Sequence, residues 1–359
     1  MKEVQTIPVR LIKGRGAVSN PEGRFEKQNR DAYDDGWTAD EEIPRLKTTV
    51  RIEQCRTIIA HNDSPDIPFD QSINPYRGCE HGCPYCFARP SHAYVGLSPG
   101  LDFETKLFAK TNAAERLRAE LAKPGYVCRP LALGSNTDPY QPIERRYRIM
   151  RRILEVLAEC EHPLTIVTKS ALIERDLDLL APMARKHLVH AFISVTTLDR
   201  SLARRLEPRA AAPMRRLEAV QRLAAAGVPV GVMVAPVIPA LNDHDIENIL
   251  EQARAAGADG AGYVLLRLPH EVKDLFREWL ARHEPLRAEH VMSLVQGARG
   301  GRDNDPRFGA RMRGTGAVAD LIENRFAVAC RRLGFNREEH ELDCTRFRAP
   351  VAGPQLALF

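Results

Sequence analysis

A chain of 359 residues that is 44% apolar and carries a formal charge of +5 can build one large α/β barrel with extensions, or two ordinary domains. No run of about 18 apolar residues and no apolar leader occur, so neither a membrane span nor a secretory signal is expected, and a cytoplasmic, reducing location is. The eight cysteines then read as metal ligands, reactive thiols or buried apolar residues, and the mild basic excess permits a polyanionic partner without demanding one.

Residues 1–47 form a polar extension with no sustained period, and segments such as Gly14-Arg15-Gly16 read as loop or extended arm. Alternation over 48–59 predicts a strand leading into the core. Another strand is expected at 73–77, directly before the segment Gly-Cys-Glu-His-Gly-Cys-Pro-Tyr-Cys at 78–86. Short apolar runs at 130–134, 164–168, 190–195, 228–235 and 262–266 suit buried parallel strands. Between and after them, helical periods cover 112–122, 144–159, 173–186, 212–226, 243–256 and 272–281. Six βα units over 48–283 predict a partial (β/α)6 barrel of the TIM type. A doubly wound sheet is the alternative, weakened because no G-x-G-x-x-G follows an early strand. Residues 284–348 form a small helical region, with helices at 285–296 and 316–333 joined by an arginine- and glycine-rich loop. From Arg299 to Arg332 there are eight arginines against four acids, so the basic excess is local. A Pro/Gly-punctuated tail, 349–359, ends the sequence.

Cys79, Cys83 and Cys86 follow C-x3-C-x2-C. Thiolates suit zinc or iron–sulfur clusters. Zinc would need a fourth ligand, for which His81 or His92 is available. In a 4Fe–4S cluster three cysteines hold three irons and leave one open, where a cofactor or substrate can bind. Barrel active sites gather at the C-terminal strand ends. Polar residues cluster where the apolar runs stop: Ser135, Asn136 and Asp138, then Lys169, then Ser194, then the segment that begins Ala235-Pro236.

The thiol spacing, with Tyr85 before the third cysteine and all of it after a first strand, resembles the radical S-adenosylmethionine superfamily. Within it, residues 71 to about 240 are similar to spore photoproduct lyase and its DNA repair photolyase-like relatives. The resemblance rests on Val167-Thr-Lys169, Ile193-Ser194, Leu206-Glu207-Pro208 and Gly231-Val-Met-Val-Ala-Pro236. It implies a 4Fe–4S cluster on Cys79, Cys83 and Cys86, and reductive cleavage of S-adenosyl-L-methionine to a 5′-deoxyadenosyl radical. It also implies cofactor contacts from Tyr85, Ser135, Asn136, Asp138, Lys169, Ser194 and Pro236, and an electron donor such as flavodoxin or ferredoxin. Lys169 and Ser194 would take the methionyl carboxylate, as suits an ammonium and a hydroxyl. Two positions depart from the lyase pattern. Ser135 stands where the lyase has a hydrogen-donating cysteine, and Phe87 where it has a tyrosine after the last cluster cysteine. A hydroxyl O–H bond is too strong to hand a hydrogen atom to a carbon radical.

Arg299, Arg302, Arg307, Arg311 and Arg313 lie among glycines and are candidates for phosphate contact, with ion pairs to Asp303 and Asp305 as the alternative. Gln355-Leu-Ala-Leu-Phe359 resembles the peptide by which bacterial replication and repair proteins bind the DNA polymerase III β sliding clamp. Leu356, Leu358 and Phe359 would enter apolar pockets, with Gln355 at their rim. The expected function is therefore radical chemistry on DNA with clamp tethering. The alternatives are radical chemistry on RNA, peptide or a small molecule, and a zinc-bearing, non-enzymatic clamp adaptor.

Overall fold

The computed structural model describes residues 12–26, 46–338 and 340–350. Ten strands are present among these: β1 Thr49–Glu53, β2 Ile59–His61, β3 Gln71–Ile73, β4 Tyr76–Arg77, β5 Lys106–Lys110, β6 Leu131–Leu133, β7 Leu164–Thr168, β8 Val189–Ser194, β9 Val230–Val237 and β10 Gly260–Leu265. The main sheet runs β10-β9-β8-β7-β6-β3-β2. All its pairs are parallel except β2 with β3, which is antiparallel. The six parallel strands follow chain order across the wall, without the reversal that marks a doubly wound sheet. This is the partial barrel expected, with one added edge strand.

Short helices α1 Leu101–Thr105 and α2 Ala113–Leu121 precede β6, and α3 Glu144–Tyr147 with α4 Ile149–Glu159 follow it. Crossovers continue with α5 Leu177–Ala184, α6 Arg200–Leu206, α7 Pro213–Ala225 and α8 Ile246–Ala255. After β10 come α9 Val272–His283, α10 Ala288–Gly297, α11 Ala310–Arg313 and α12 Ala317–Leu333. No helix among the described residues is long and apolar enough to cross a membrane.

Ile73, Leu131, Leu133, Ile166, Ala191, Ile193 and Val232 are buried in the sheet and give the barrel its core. A second apolar cluster joins Trp279, Phe276, Val291 and Val295 of the C-terminal helices to Leu266, Leu268, Tyr85 and Cys83. The helical region thus walls one flank of the cysteine segment.

Several expected elements are interrupted: the strand expected over 48–59 stops at Glu53 and pairs with β5 in a side sheet instead of leading into the core, and three others break for local reasons. The strand at 73–77 splits into β3 and β4, which lie in different sheets. Pro75 has no N–H for a ladder, and the Asn74 side chain turns to accept from Asn136 N and Thr137 N. The helix at 144–159 breaks at Arg148, which has φ of +50°. There the Glu144 carboxylate accepts from the free N–H groups of Ile149, Met150 and Arg151, opening α4 as a new helix. The helix at 173–186 starts instead as a 3-10 turn over Ala171–Asp176, with the Ser170 hydroxyl accepting from Leu172 N.

A three-stranded sheet, β1-β5-β4, was not foreseen. It stands beside the barrel and brackets the cysteine segment between β4 and β5. Part of the N-terminal extension is also packed rather than free. Arg15, Gly16, Ala17 and Val18 are buried, and Glu104 accepts from Gly16 N at 3.0 Å and Ala17 N at 2.8 Å. Arg15 donates to Glu104 O and to Thr48 Oγ1, each at 3.0 Å.

Candidate active site

The cysteine segment leaves β4 at the C-terminal side of the barrel and is held by its backbone. Cys79 N donates to Phe103 O at 2.9 Å and Glu80 N to Gln141 Oε1 at 2.9 Å, while Gln141 Nε2 donates to Gly78 O at 3.1 Å. Gly78 and Gly82 have φ of +75° and +72°, a conformation glycine adopts without strain. Side chains are excluded there too. A Cβ on Gly78 would lie 2.7 Å from Phe103 O, and one on Gly82 would lie 2.8 Å from Glu104 Oε2. Gly16 approaches so closely that a Cβ on it would lie 1.7 Å from Gly82 O.

Beneath this loop Arg89 and Glu104 form an ion pair with both side chains fully buried. Arg89 also donates to the carbonyls of Cys83, Pro99 and Gly100, at 2.8, 3.0 and 2.8 Å. The guanidinium acts as a structural cross-link between the cysteine segment and α1.

Burial pushes all three thiols above their ordinary range, Cys83 to about 12, and each is affected by the charge of its neighbours. Cys86 packs against both the apolar cluster that holds Cys83 and the one that holds Cys79, so the three share one buried space. Thiolates on one zinc would sit about 4 Å apart at 2.3 Å bond lengths. A multi-iron cluster, whose irons each take one sulfur, also accepts three thiolates and spreads them over three metal atoms. The Lys169 ammonium lowers the cost of thiolate at Cys83 and Cys86, which suits the same group.

Each of the two histidines available as a fourth zinc ligand has one ring nitrogen engaged, while His92 Nδ1 is buried with no hydrogen-bond partner among the described residues. His92 Nε2 meets Lys106 O at 3.0 Å, and burial holds its pKa down at about 4. His81 Nδ1 faces Asp138 Oδ2 at 3.4 Å.

Asp138 is a junction. It accepts from Thr168 Oγ1 and Lys169 N at 2.7 Å and from Tyr140 N at 2.9 Å. Burial pushes its pKa up, but His81 and these donors outweigh that and hold it at about 2. The carboxylate ties the end of β7 to the loop after β6 and to the cysteine segment. Ser135 accepts from Asn74 Nδ2 at 3.2 Å, while Asn136 is exposed on the same loop. Ser194 is buried at the end of β8, where its carbonyl accepts from Arg216 at 3.0 Å. Pro236 O, on β9, accepts from Asn242 Nδ2 at 3.0 Å.

Lys169 is half-buried beside Tyr85, its Nζ 6.0 Å from the ring centre and 4.0 Å from Glu207 Oε1. Glu207 is the residue for which the sequence suggested no role. It accepts from Thr196 Oγ1 at 2.6 Å, from the Tyr85 hydroxyl and from buried Arg216. Burial would raise its pKa, but Arg216, Lys169 and the two hydroxyls bring it to about 2. Its place in Leu206-Glu207-Pro208 was visible; its partners lie on other elements.

The arginine-rich loop differs from expectation. Arg299 is buried and donates to Leu265 O, Leu266 O and Ala310 O at 3.1, 2.7 and 2.6 Å, so it is spent on backbone carbonyls and does not face phosphates. Arg307 pairs with Asp305, and Arg311 with Asp66. Arg302 and Arg313 are exposed. Cys128 lies at the entry to β6, opposite the rim, in hydrogen-bond contact with Cys344. Gln355, Leu356, Leu358 and Phe359 lie outside the described residues.

Comparison with known proteins places this geometry. The Radical SAM superfamily model matches residues 73–253. An uncharacterized protein of Mycobacterium tuberculosis is 43% identical over 221 residues, covering 61% of this chain and 65% of that protein. The chain thus spans just under two thirds of that relative's length. A protein of a Pseudomonas phage, named Radical SAM Nalpha-GlyT isomerase, is 28% identical over 53% of this chain and 38% of its own. Among solved structures, spore photoproduct lyase complexed with dinucleoside spore photoproduct matches with a TM-score of 0.60. That match covers 81% of this chain and 82% of the lyase at 15% identity, a likeness of fold.

Proposed function

The chain belongs to the radical SAM superfamily, and we propose that it acts on DNA or another nucleic acid, with the sliding clamp as its tether. The radical SAM enzyme class follows from the family, which implies a 4Fe–4S cluster and S-adenosylmethionine. The observation that supports the site assignment is the packing of Cys86 against the clusters of both Cys79 and Cys83, with Lys169 beside Tyr85 of the same segment.

In this reading Cys79, Cys83 and Cys86 hold the cluster. When bound, the cluster and S-adenosylmethionine supply a 5′-deoxyadenosyl radical for hydrogen abstraction from substrate. The chain's part is binding, orientation and exclusion of water. Lys169 offers its ammonium to the methionyl carboxylate, with Ser194 beside it. Glu207 aims Lys169 and holds the Tyr85 ring, and so acts as a positioning residue. Asp138 keeps the β7 end and the cysteine segment in register. Ser135, Asn136 and Pro236 line the same strand ends. Since Ser135 is no hydrogen-atom donor and Phe87 has no hydroxyl, any hydrogen returned to substrate comes from the cofactor product or from another group.

DNA as the substrate class is supported by the fold shared with a lyase whose complex holds a dinucleoside lesion. Residues 355–359, with the sequence Gln-Leu-Ala-Leu-Phe, add a clamp-binding tether, which raises local concentration on DNA without reading bases. Anaerobically reconstituted protein, reduced by dithionite or by flavodoxin or ferredoxin, should release 5′-deoxyadenosine. Lesion-bearing oligonucleotides, with and without the clamp, should then give a product that undamaged DNA does not. Release from a Cys79/Cys83/Cys86→Ala protein equal to wild type would sink the radical reading. The absence of any nucleic-acid product would move the substrate to a peptide or small molecule.

A further inference from the structure

Beside the cysteines, a partly buried cation stands without an anion among the described residues. Arg267 lies just past the end of β10, and its guanidinium sits 5.2 Å from the ring centre of Phe87, the residue after Cys86. Its Nη1 meets the Met312 sulfur at 3.6 Å, a weak acceptor. Its Nε is buried with no hydrogen-bond partner, and no carboxylate among the described residues lies within ion-pair distance. Asp66, whose field reaches Arg267, has both oxygens engaged by Arg311. A guanidinium has five donors and cannot shed its charge, so this environment favours an incoming anion.

Aromatic surface accompanies that charge. Phe87 is 45% exposed and Phe308 is 58% exposed, large apolar faces that the fold leaves open. Arg311 lies 4.7 Å from the Phe308 ring centre, and Arg267 and Arg311 are close enough to feel each other's charge. The ring-plus-guanidinium unit therefore occurs twice in one neighbourhood, as Phe87–Arg267 and Phe308–Arg311. Among the described residues Arg311 has a carboxylate partner, Asp66, and Arg267 has none. A polymer that alternates flat bases with anionic phosphates offers a matching pair at every residue. Paired bases in a duplex hide their faces, so the fitting form is an unstacked or single-stranded nucleotide.

We propose that Arg267 and Phe87 form the receptor for one unstacked nucleotide, with its phosphate on Arg267 and its base against the open part of the Phe87 ring. Phe308 offers a stacking surface to the neighbouring base. This rests on the nucleic-acid reading above. It gives Phe87 a stacking task in place of a hydrogen-relay task, and it predicts weak dependence on base identity because no base-edge reader is involved.

Fluorescence anisotropy with 5′-fluorescein oligothymidylate tests it, using cluster-loaded full-length protein under anaerobic conditions. Arg267→Gln should weaken binding at least tenfold and make the slope of log K against log salt shallower by about 0.7. Phe87→Ala should weaken binding about fivefold or more without changing that slope, since it removes stacking and no charge. Arg267→Lys should restore the slope and part of the affinity, and cluster absorbance reports whether each variant is folded. If wild type binds and both Arg267→Gln and Phe87→Ala bind equally well, the receptor assignment is overturned while the nucleic-acid reading stands. If wild type binds no oligonucleotide, both fall together.

Discussion

Lys169 Nζ stands 4.0 Å from Glu207 Oε1, close enough to be steered and too far to be consumed. Glu207 meanwhile engages Arg216, Thr196 and Tyr85, so the ammonium keeps donors for a second carboxylate. Lys169→Met should raise the Kd for S-adenosylmethionine at least tenfold while iron content stays at the wild-type value. Anaerobic calorimetry with parallel iron analysis reads both, and unchanged affinity would remove Lys169 from the cofactor site.

The thiols make a second test. Anaerobically purified protein should carry about four irons with matching sulfide. Replacing any one of Cys79, Cys83 or Cys86 by Ala should lower the iron content and abolish release of 5′-deoxyadenosine. One zinc per chain, retained in place of iron, would favour the adaptor reading.

Breaking the Arg89–Glu104 pair should cost stability on a scale set by its burial. Removing one partner of a buried ion pair leaves an uncompensated charge, typically at a cost of about 3–5 kcal/mol. Arg89→Met should show this in chemical denaturation. Glu104→Leu should cost at least as much, because it also strands the Gly16 and Ala17 N–H groups. A loss below about 1 kcal/mol in both would mean that water reaches the pair.

Acid sensitivity should begin well above the carboxylate range. Burial depresses His92, His162 and His190 to about 4 from an ordinary value of 6.5. Above pH 6.5 these rings are neutral whether the chain is folded or not. As the pH falls from 6.5 towards 4, the unfolded chain takes up protons that the folded one refuses, so stability is progressively lost. Denaturant midpoints across pH 7 to 4 should fall, and His162→Asn should flatten part of that slope. A midpoint constant down to pH 5 would contradict the burial of these rings.

The tail makes a prediction independent of the barrel. Burial of each large apolar side chain is worth roughly 1.5–3 kcal/mol. Leu358→Ala combined with Phe359→Ala should therefore lower affinity for purified clamp more than tenfold in biolayer interferometry. Equal retention of wild type and the double variant would leave the tail without this role.

The barrel was legible because buried parallel strands announce themselves as short apolar runs, and β7 and β8 begin and end within about a residue of expectation. The thiol spacing was legible because metal ligation is local in sequence. What escaped depends on distant partners. Glu207 matters through Arg216, Tyr85 and Thr196, none of which its own neighbourhood reveals. Arg299 reads as a free cation until the carbonyls of Leu265 and Leu266 are placed against it. The break at Arg148 hides inside a helical period because Glu144 serves as a cap there, a task its residue type does not advertise. Arg15 looks like part of a polar arm, yet its burial follows from the acceptors on Glu104 and Leu46.

The contact of Gly16 with Gly82 sets a limit on how far this chain can be shortened. The segment matched by the superfamily model begins at residue 73, whereas the clasp over the cysteine loop comes from residues 15–18. A fragment trimmed to the superfamily's borders would keep Cys79, Cys83 and Cys86 but lose this strap, together with the C-terminal helices that pack on Cys83 and Tyr85. Oxygen tolerance would then separate from cluster ligation: the shortened protein would take up iron under nitrogen and bleach faster in air.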